Sequence, residues 1–524
     1  MLLNSFLERS AAAHPDKTAL VCGEKRYTYR ETDEWANVLA RSFMADGLGR
    51  QDRVCVYFEN SMETLAGAFG ALKADGVFLI VNPQVKGDKL AYILNDCQVK
   101  ILVTGVRNLN NVAADLAECP SLKSVYLVDG EPKEDGPVLS QAAQDLLSAK
   151  GVKATSLAAA WAAQPKTKPR QLNIDIDLAS LIYTSGSTGN PKGVTLTHLN
   201  MVAAATSITT YLENTGDDII LSCLPLAFDY GLYQALMAFK FGITLVLEKQ
   251  FLYPYKVIEL IKKEKVTGFP FVPTIVAILL NLKDLEDHDF SSLRYVTNTA
   301  QALPPHHIAR IRKIMPKVRV YSMYGLTECK RVSYLPPEKV DAKPTSVGIA
   351  MPNTEVWVEK DDGTRAKPGE IGELIVRGSH VMVGYWNKPE ETAVRLRPGR
   401  NAWERELRTG DLFRTDEEGL LYFVSRKDDL IKTAGERVGP REVENVLYEL
   451  EAVKEAGVIG VPDEILGQAI KAFLALKEGA TLTEKDVIKH CQKRLEPFMV
   501  PKHIAFIPEL PKTSTGKISK KGLA

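Results

Sequence analysis

No two cysteines of this 524-residue chain form a CxxC, and none stands beside a histidine at a metal-binding spacing. The seven that occur (Cys22, Cys55, Cys97, Cys119, Cys223, Cys329, Cys491) are scattered. That pattern argues against zinc and against a disulfide framework, and for a reducing, cytoplasmic compartment. Long apolar runs are missing too: none approaches the roughly 18 residues of a membrane span. Glu8 and Arg9 interrupt the N-terminal stretch where a signal peptide would stay apolar. Excess charge is absent. With 66 Lys and Arg against 65 Asp and Glu, the net charge is +1, so no global field favours nucleic acid or an anionic membrane. Repeats and heptads are absent, and so is the GxxxxGK[ST] pattern of the usual P-loop.

The composition that remains, 45% hydrophobic and 25% charged, is that of a soluble globular enzyme. The length calls for two or more domains. One stretch organises the rest. An apolar run, 179–183, reads as a buried strand and breaks into Thr184-Ser185-Gly186-Ser187-Thr188-Gly189-Asn190-Pro191-Lys192-Gly193, before a helical pattern from about Thr197. Gly186 and Gly189 permit close backbone approach. Four hydroxyl residues and Lys192 surround exposed N–H groups, which makes a cradle for a polyphosphate. Taken alone, the same residues also fit a Ser/Gly-rich surface loop.

Around it, strands and helices alternate. Strands are expected at 19–22, 26–29, 53–58, 77–81, 100–103, 124–128, 219–224, 243–247, 268–271, 293–298 and 318–322. Helices fall between them, at 3–13, 30–47, 66–75, 255–263 and 274–282. This is the signature of parallel sheets covered by helices. Residues 129–172 read as a helix-containing excursion and linker, and 355–376 as a small β subdomain. From 427 a different unit begins, with helices at 440–450 and 484–495 and strands at 456–461 and 472–476.

Further motifs accompany the loop. Tyr324-Gly325-Leu326-Thr327-Glu328 follows a strand, where open α/β sheets place ligands. The others are Leu72-Lys73-Ala74-Asp75-Gly76, Asn82-Pro83, 372–378 continuing to Gly384-Tyr385, Thr409-Gly410-Asp411, 425–439 and Thr515-Gly516-Lys517. In this order and spacing, over roughly residues 5–522, the set resembles the adenylate-forming superfamily: acyl- and aryl-CoA synthetases, peptide-synthetase adenylation domains and luciferases. The resemblance implies an N-terminal domain of parallel α/β sheets with a small β subdomain (1–427), and a mobile α+β C-terminal lid (428–524).

It also implies roles. Thr184, Ser185, Gly186, Ser187, Thr188, Gly189 and Lys192 would grip the β- and γ-phosphates of ATP. Ala300, Gln301, Tyr324 and Gly325 would bind the nucleotide, with Tyr324 stacked on adenine. Thr327 would touch the α-phosphate or the carboxylate, Glu328 would hold Mg²⁺, and Asp411 would take both ribose hydroxyls with Arg426 nearby. Lys517 would bridge the acid and the α-phosphate. Asp428 matches the hinge, Gly435 would line the thiol channel, and Arg437 would meet the adenylate phosphate after lid rotation. Duller readings exist for each: a solvated tail lysine, a turn aspartate, a first-turn helix carboxylate, a core tyrosine.

The acid is indicated by Phe228-Asp229-Tyr230. Peptide-synthetase adenylation domains carry an aromatic residue and then an aspartate that binds the substrate's α-ammonium, so Asp229 favours an amino-acid-like substrate. The alternative is a helix N-cap. Phe228, Tyr230, Tyr233, Pro270, Thr297, Thr299, Met323, Arg331 and Val332 complete the candidate pocket, which suits a compact acid. Arg331 would pair a second substrate carboxylate if it faced the pocket; otherwise it reaches solvent or a structural partner. The chain ends seven residues after Lys517, so the acceptor is expected to be CoA or the phosphopantetheine of a separate carrier protein. A luciferase-like oxygenase and a silent binding protein are the readings from other classes.

Overall fold

The computed structural model describes residues 1–128, 138–149, 151–184, 190–299, 302–433, 436–512 and 518–523; the side chains of Ala149, Asp428, Arg437 and Lys521 are not described. Among the described residues two large sheets of nine and eight strands carry most of the chain. Their inner strands are short and apolar. Val77–Val81 and Ser124–Val128 are buried almost throughout and pair in parallel with their neighbours, as strands covered on both faces should. In the nine-stranded sheet Ile219–Ser222, Thr244–Leu247, Gly268–Phe271, Tyr295–Asn298 and Arg319–Tyr324 run parallel. Antiparallel strands Ser333–Tyr334 and Ile349–Ala350 close that end.

Several strands were not anticipated, among them Arg405–Thr415, Leu421–Arg426 and His503–Phe506. Lys153–Ser156 adds to the edge of the eight-stranded sheet within the 129–172 excursion. Lys192–Thr197 intervenes between the central loop and the helix His198–Tyr211, whose N-cap is Thr197. It forms an antiparallel hairpin with Leu178–Thr184 as the other arm. Gly384–Tyr385 then pairs with the outer arm.

The motif around Lys73 is architectural. Its ammonium is completely buried, 2.6 Å from Asp33 and 2.7 Å from Asn37 Oδ1. Asp75, at φ +59°, accepts the N–H groups of Leu172 and Asn173 at 2.9 and 3.0 Å. The segment leading to the hairpin is thereby fastened to the body.

A third, antiparallel sheet contains Thr354–Glu359, Gly372–Gly378, Leu396–Pro398, Arg405–Thr415 and Leu421–Arg426. A fourth contains Ile431–Thr433, Glu436–Val438, Val453–Asp463, Gly467–Leu476 and His503–Phe506. Buried apolar residues from 431 onward cluster separately from those of the first 421 residues. The first three sheets meet at one corner. The carbonyl of Glu328 accepts Met382 N–H at 2.8 Å, and Thr195 accepts Val383 N–H at 3.0 Å.

Candidate active site

The hairpin register sets Lys192 opposite Thr184, at the ends of the two arms. Ser185, Gly186, Ser187, Thr188 and Gly189 lie outside the described residues. The ammonium of Lys192 stands 5.6 Å from the centre of the Tyr385 ring. Tyr385 in turn donates its hydroxyl to Glu328 Oε1 at 2.6 Å. Burial and the Glu328 charge push the Tyr385 phenol up, so it stays a neutral donor. A cation, a phenol and a carboxylate from three distant stretches are thus gathered at the hairpin. The sequence reading quoted Tyr385 only as part of a motif; pairing of Gly384–Tyr385 with Lys192–Thr197 is what brings it here.

Tyr324 ends its strand half-buried, its ring 4.8 Å from that of Phe413 in an edge-on contact. Its hydroxyl donates to Asp411 Oδ2 at 2.6 Å. Asp411 is 6% exposed and sits across from Arg426 in the sheet register, with Arg426 Nε 3.7 Å from Oδ1. Burial raises the Asp411 carboxyl, and the charge of Arg426 opposes that rise. Gly325 is required by space: a Cβ there would fall 2.3 Å from the Lys330 carbonyl oxygen and 2.9 Å from Arg331 Cα. The chain from 325 to 331 folds back on itself, holding half-buried Thr327 and Glu328 at its turn.

On the other side of that turn the structure revises the reading of Asp229. The helix Asp229–Phe241 is capped by Phe228, without a side-chain cap. Asp229 is buried and lies 3.0 Å from the ammonium of Lys330, itself 3% exposed. Its charge has an internal cation, which displaces both the substrate-ammonium role and the N-cap role. Burial lowers the Lys330 pKa to about 7, Asp229 holding it up in part, and the ammonium rests 3.9 Å from the centre of the Tyr233 ring. Tyr230 donates to the Thr297 carbonyl at 2.7 Å, and Arg331 lies over its ring at 5.0 Å. Thr299 and Met323 are buried alongside, and Phe228 meets Tyr230 edge-on at 6.4 Å. Lys330, to which no role was given, thus contacts both Asp229 and Tyr233.

The chain as a whole has known relatives. The family model described as AMP-binding enzyme matches residues 7–386, and that of the AMP-binding enzyme C-terminal domain matches 442–517. The chain belongs to the AMP-binding enzyme family. It is similar to a long-chain-fatty-acid–CoA ligase of Bacillus subtilis, 35% identical over 99% of this chain and 94% of that protein. It is also similar to an indoleacetate–CoA ligase of Aromatoleum aromaticum, 31% identical over 99% and 97%. Among solved structures it resembles the anthranilate CoA ligase AuaEII in complex with anthranoyl-AMP, with TM-score 0.88 and 26% identity over 100% and 96% of the two chains.

This AMP-binding enzyme is an AMP-forming ligase of mixed α/β architecture. Its C-terminal unit touches the body at Ala302 and His306. Arg441 donates to the Ala302 carbonyl at 2.9 Å, and the His306 and Tyr448 rings are 6.2 Å apart. Buried Glu444 ties Arg441 (3.4 Å) to Lys520 (2.9 Å), three residues past Lys517. Ala300, Gln301, Gly435 and Lys517 lie outside the described residues. Asp428 falls in the 3-10 turn Lys427–Asp429, and Arg437 in the strand Glu436–Val438.

Proposed function

We propose that this enzyme activates a compact, non-amino carboxylic acid with ATP, releasing pyrophosphate, and passes the acyl group from AMP to the thiol of CoA. Relatives named as acyl- and aryl-CoA ligases along nearly the whole chain support the class. The convergence of Lys192, Tyr385 and Glu328 beside Tyr324, Asp411 and Arg426 is the observation that carries the reading. The neutralised Asp229 argues against an amino acid, and the free phosphopantetheine of a carrier protein is the second acceptor. Among the described residues no helix is long and apolar enough to cross a membrane, and the described cysteines form no disulfide. The latter supports a cytoplasmic setting.

A carboxylate attacking a triphosphate brings anion to anion, so donors must be aimed where negative charge grows. In this reading the acid oxygen attacks the α-phosphorus, and the bond to the pyrophosphate oxygen breaks. Thr184, residues 185–189 and Lys192 hold the outer phosphates, Tyr324 faces adenine, Ala300, Gln301 and Gly325 also bind the nucleotide, and Asp411 accepts both ribose hydroxyls beside Arg426. Thr327 orients the reacting groups. Among the described residues no cluster of three acidic, His or Cys ligands occurs. A lone carboxylate, Glu328, with one oxygen engaged by Tyr385, suits Mg²⁺ shared with phosphate oxygens. Bound there, Mg²⁺ would neutralise phosphate charge.

Residues 1–427 form the body and 428–524 a lid that turns about Asp428. Lys517 serves adenylation; Gly435 and Arg437 serve the second step, in which the thiol sulfur displaces AMP from the acyl carbon and its proton leaves to solvent. Separate cores on either side of the boundary support the division. Pyrophosphate release over a panel of aliphatic, aryl and amino acids, with CoA and a carrier protein offered in turn, tests the reading. Lys517→Ala is expected to abolish adenylate formation while sparing thioester formation from supplied acyl-AMP. Equal loss of both steps contradicts the turning lid.

A further inference from the structure

Arg331 is only 3% exposed, yet no described carboxylate stands within ion-pair distance of its guanidinium. Its Nε has no hydrogen-bond partner among the described residues. The one acid of this cluster, Asp229, is held by Lys330 at 3.0 Å. The neighbouring hydroxyl of Tyr211 cannot cancel the charge, because burial pushes that phenol up to about 12 and keeps it protonated. A desolvated guanidinium without a counter-charge is costly, and the fold nevertheless builds a rigid seat for it. Tyr230 lies under it, fixed to Thr297 at 2.7 Å. Tyr211 stacks on Tyr334 at 4.1 Å and donates to Met323 Sδ at 3.0 Å. The fold-back at Gly325 keeps Arg331 beside the turn that carries Thr327 and Glu328.

We propose that Arg331 receives a second anionic group on the acid substrate, so that the enzyme acts on a short dicarboxylic acid, one carboxylate being activated at Thr327 and the other held by the guanidinium. This rests on the ligase reading above and names its substrate class. A guanidinium fork matches a carboxylate in geometry. A single unpaired arginine balances one negative charge, which favours a carboxylate over a phosphate dianion. A monoacid of equal length would leave the arginine buried and unpaired, and sites of that kind reject the analogue strongly. A long alkyl chain would have to lie against the same bare cation.

The test compares pyrophosphate release and kcat/KM for matched pairs that differ by methyl against carboxylate: butanoate with succinate, pentanoate with glutarate, toluate with phthalate isomers. The wild-type protein is expected to prefer the diacid of at least one pair by about 100-fold. Arg331→Met should remove that preference, lowering the diacid about 100-fold and leaving the monoacid within about threefold; Arg331→Lys should fall between. The wild-type panel decides even if a variant folds poorly. Turnover confined to monoacids, or an Arg331→Met variant that lowers both series alike, overturns the second-anion site and leaves the ligase intact. Pyrophosphate release from neither series overturns the compact-acid reading with it.

Discussion

Asp411 and Asp229 look alike in isolation: each is a buried carboxylate, 6% and 7% exposed, near a tyrosine and a basic residue. They differ in where the cation stands. The partner of Asp411, Arg426, is 69% exposed and 3.7 Å away, so the carboxylate can still accept a ligand's donors. The partner of Asp229, Lys330, is itself buried and sits at 3.0 Å, so its charge is spent inside the wall. Burial of a carboxylate says little about function until the accessibility of its counter-ion is known.

The largest expected effect is on stability at the closed pair. Lys330→Met leaves Asp229 buried without a cation and should cost about 3–5 kcal/mol, read as a shift of the denaturation midpoint. The double variant Asp229→Ala with Lys330→Met should recover part of that loss. Strict additivity would mean the pair does not interact. At the open site the order reverses. If Asp411 accepts the two ribose hydroxyls as proposed, Asp411→Ala should lower kcat/KM for ATP by roughly 10²–10³, with stability changed by about 1 kcal/mol or less. If Asp411→Ala destabilised as much as Lys330→Met, the contrast would fail.

His198 tests whether burial alone governs a group whose partner is a neutral donor. It is fully buried and its Nδ1 accepts Leu3 N–H at 3.0 Å. Burial lowers its pKa to about 4; Asp177 and Asp175 favour the cation and the N-terminal ammonium opposes it, but burial outweighs both aspartates. Protonation therefore begins in the unfolded chain, near pH 6.5, before it occurs in the folded one. The contribution is complete above that pH and is lost as the pH falls toward 4, on the order of 3 kcal/mol. His198→Asn, which retains an acceptor, should flatten the stability–pH curve in this window; a slope unchanged by the substitution would remove His198 as its source.

What was legible in the sequence follows from how locally each feature is determined. The strands Val77–Val81 and Ser124–Val128 announce themselves because burial on both faces requires an unbroken apolar run. Lys192–Thr197 does not: Lys, Gly and two threonines acquire strand geometry only through pairing with Leu178–Thr184 and Gly384–Tyr385. Lys153–Ser156, a half-exposed edge strand, is silent for the same reason. Tyr324, Asp411 and Glu328 were singled out because motif order marked them, and the structure brings Tyr324 to Asp411. The partner of Asp229 was missed because it lies about a hundred positions away, next to a motif that drew attention to Glu328 instead.

Tyr385 measures the smallest of these effects and separates position from chemistry. Its ring stands 5.6 Å from Lys192 and its hydroxyl binds Glu328 Oε1 at 2.6 Å. Tyr385→Phe keeps the ring, and hence the wall beside Lys192, while freeing one carboxylate oxygen of Glu328 to rotate. A hydrogen bond to a charged group contributes about 1.5–3 kcal/mol, part of which water replaces at a half-buried site, so adenylation should slow about tenfold. Because Glu328 would retain its charge but lose its orientation, the loss should appear chiefly as a raised requirement for Mg²⁺, with KM for ATP at saturating metal changed little. Glu328→Gln, which removes the charge itself, should not be rescued by added metal. Were the two variants to respond to metal identically, Tyr385 would be packing beside Glu328 rather than aiming it.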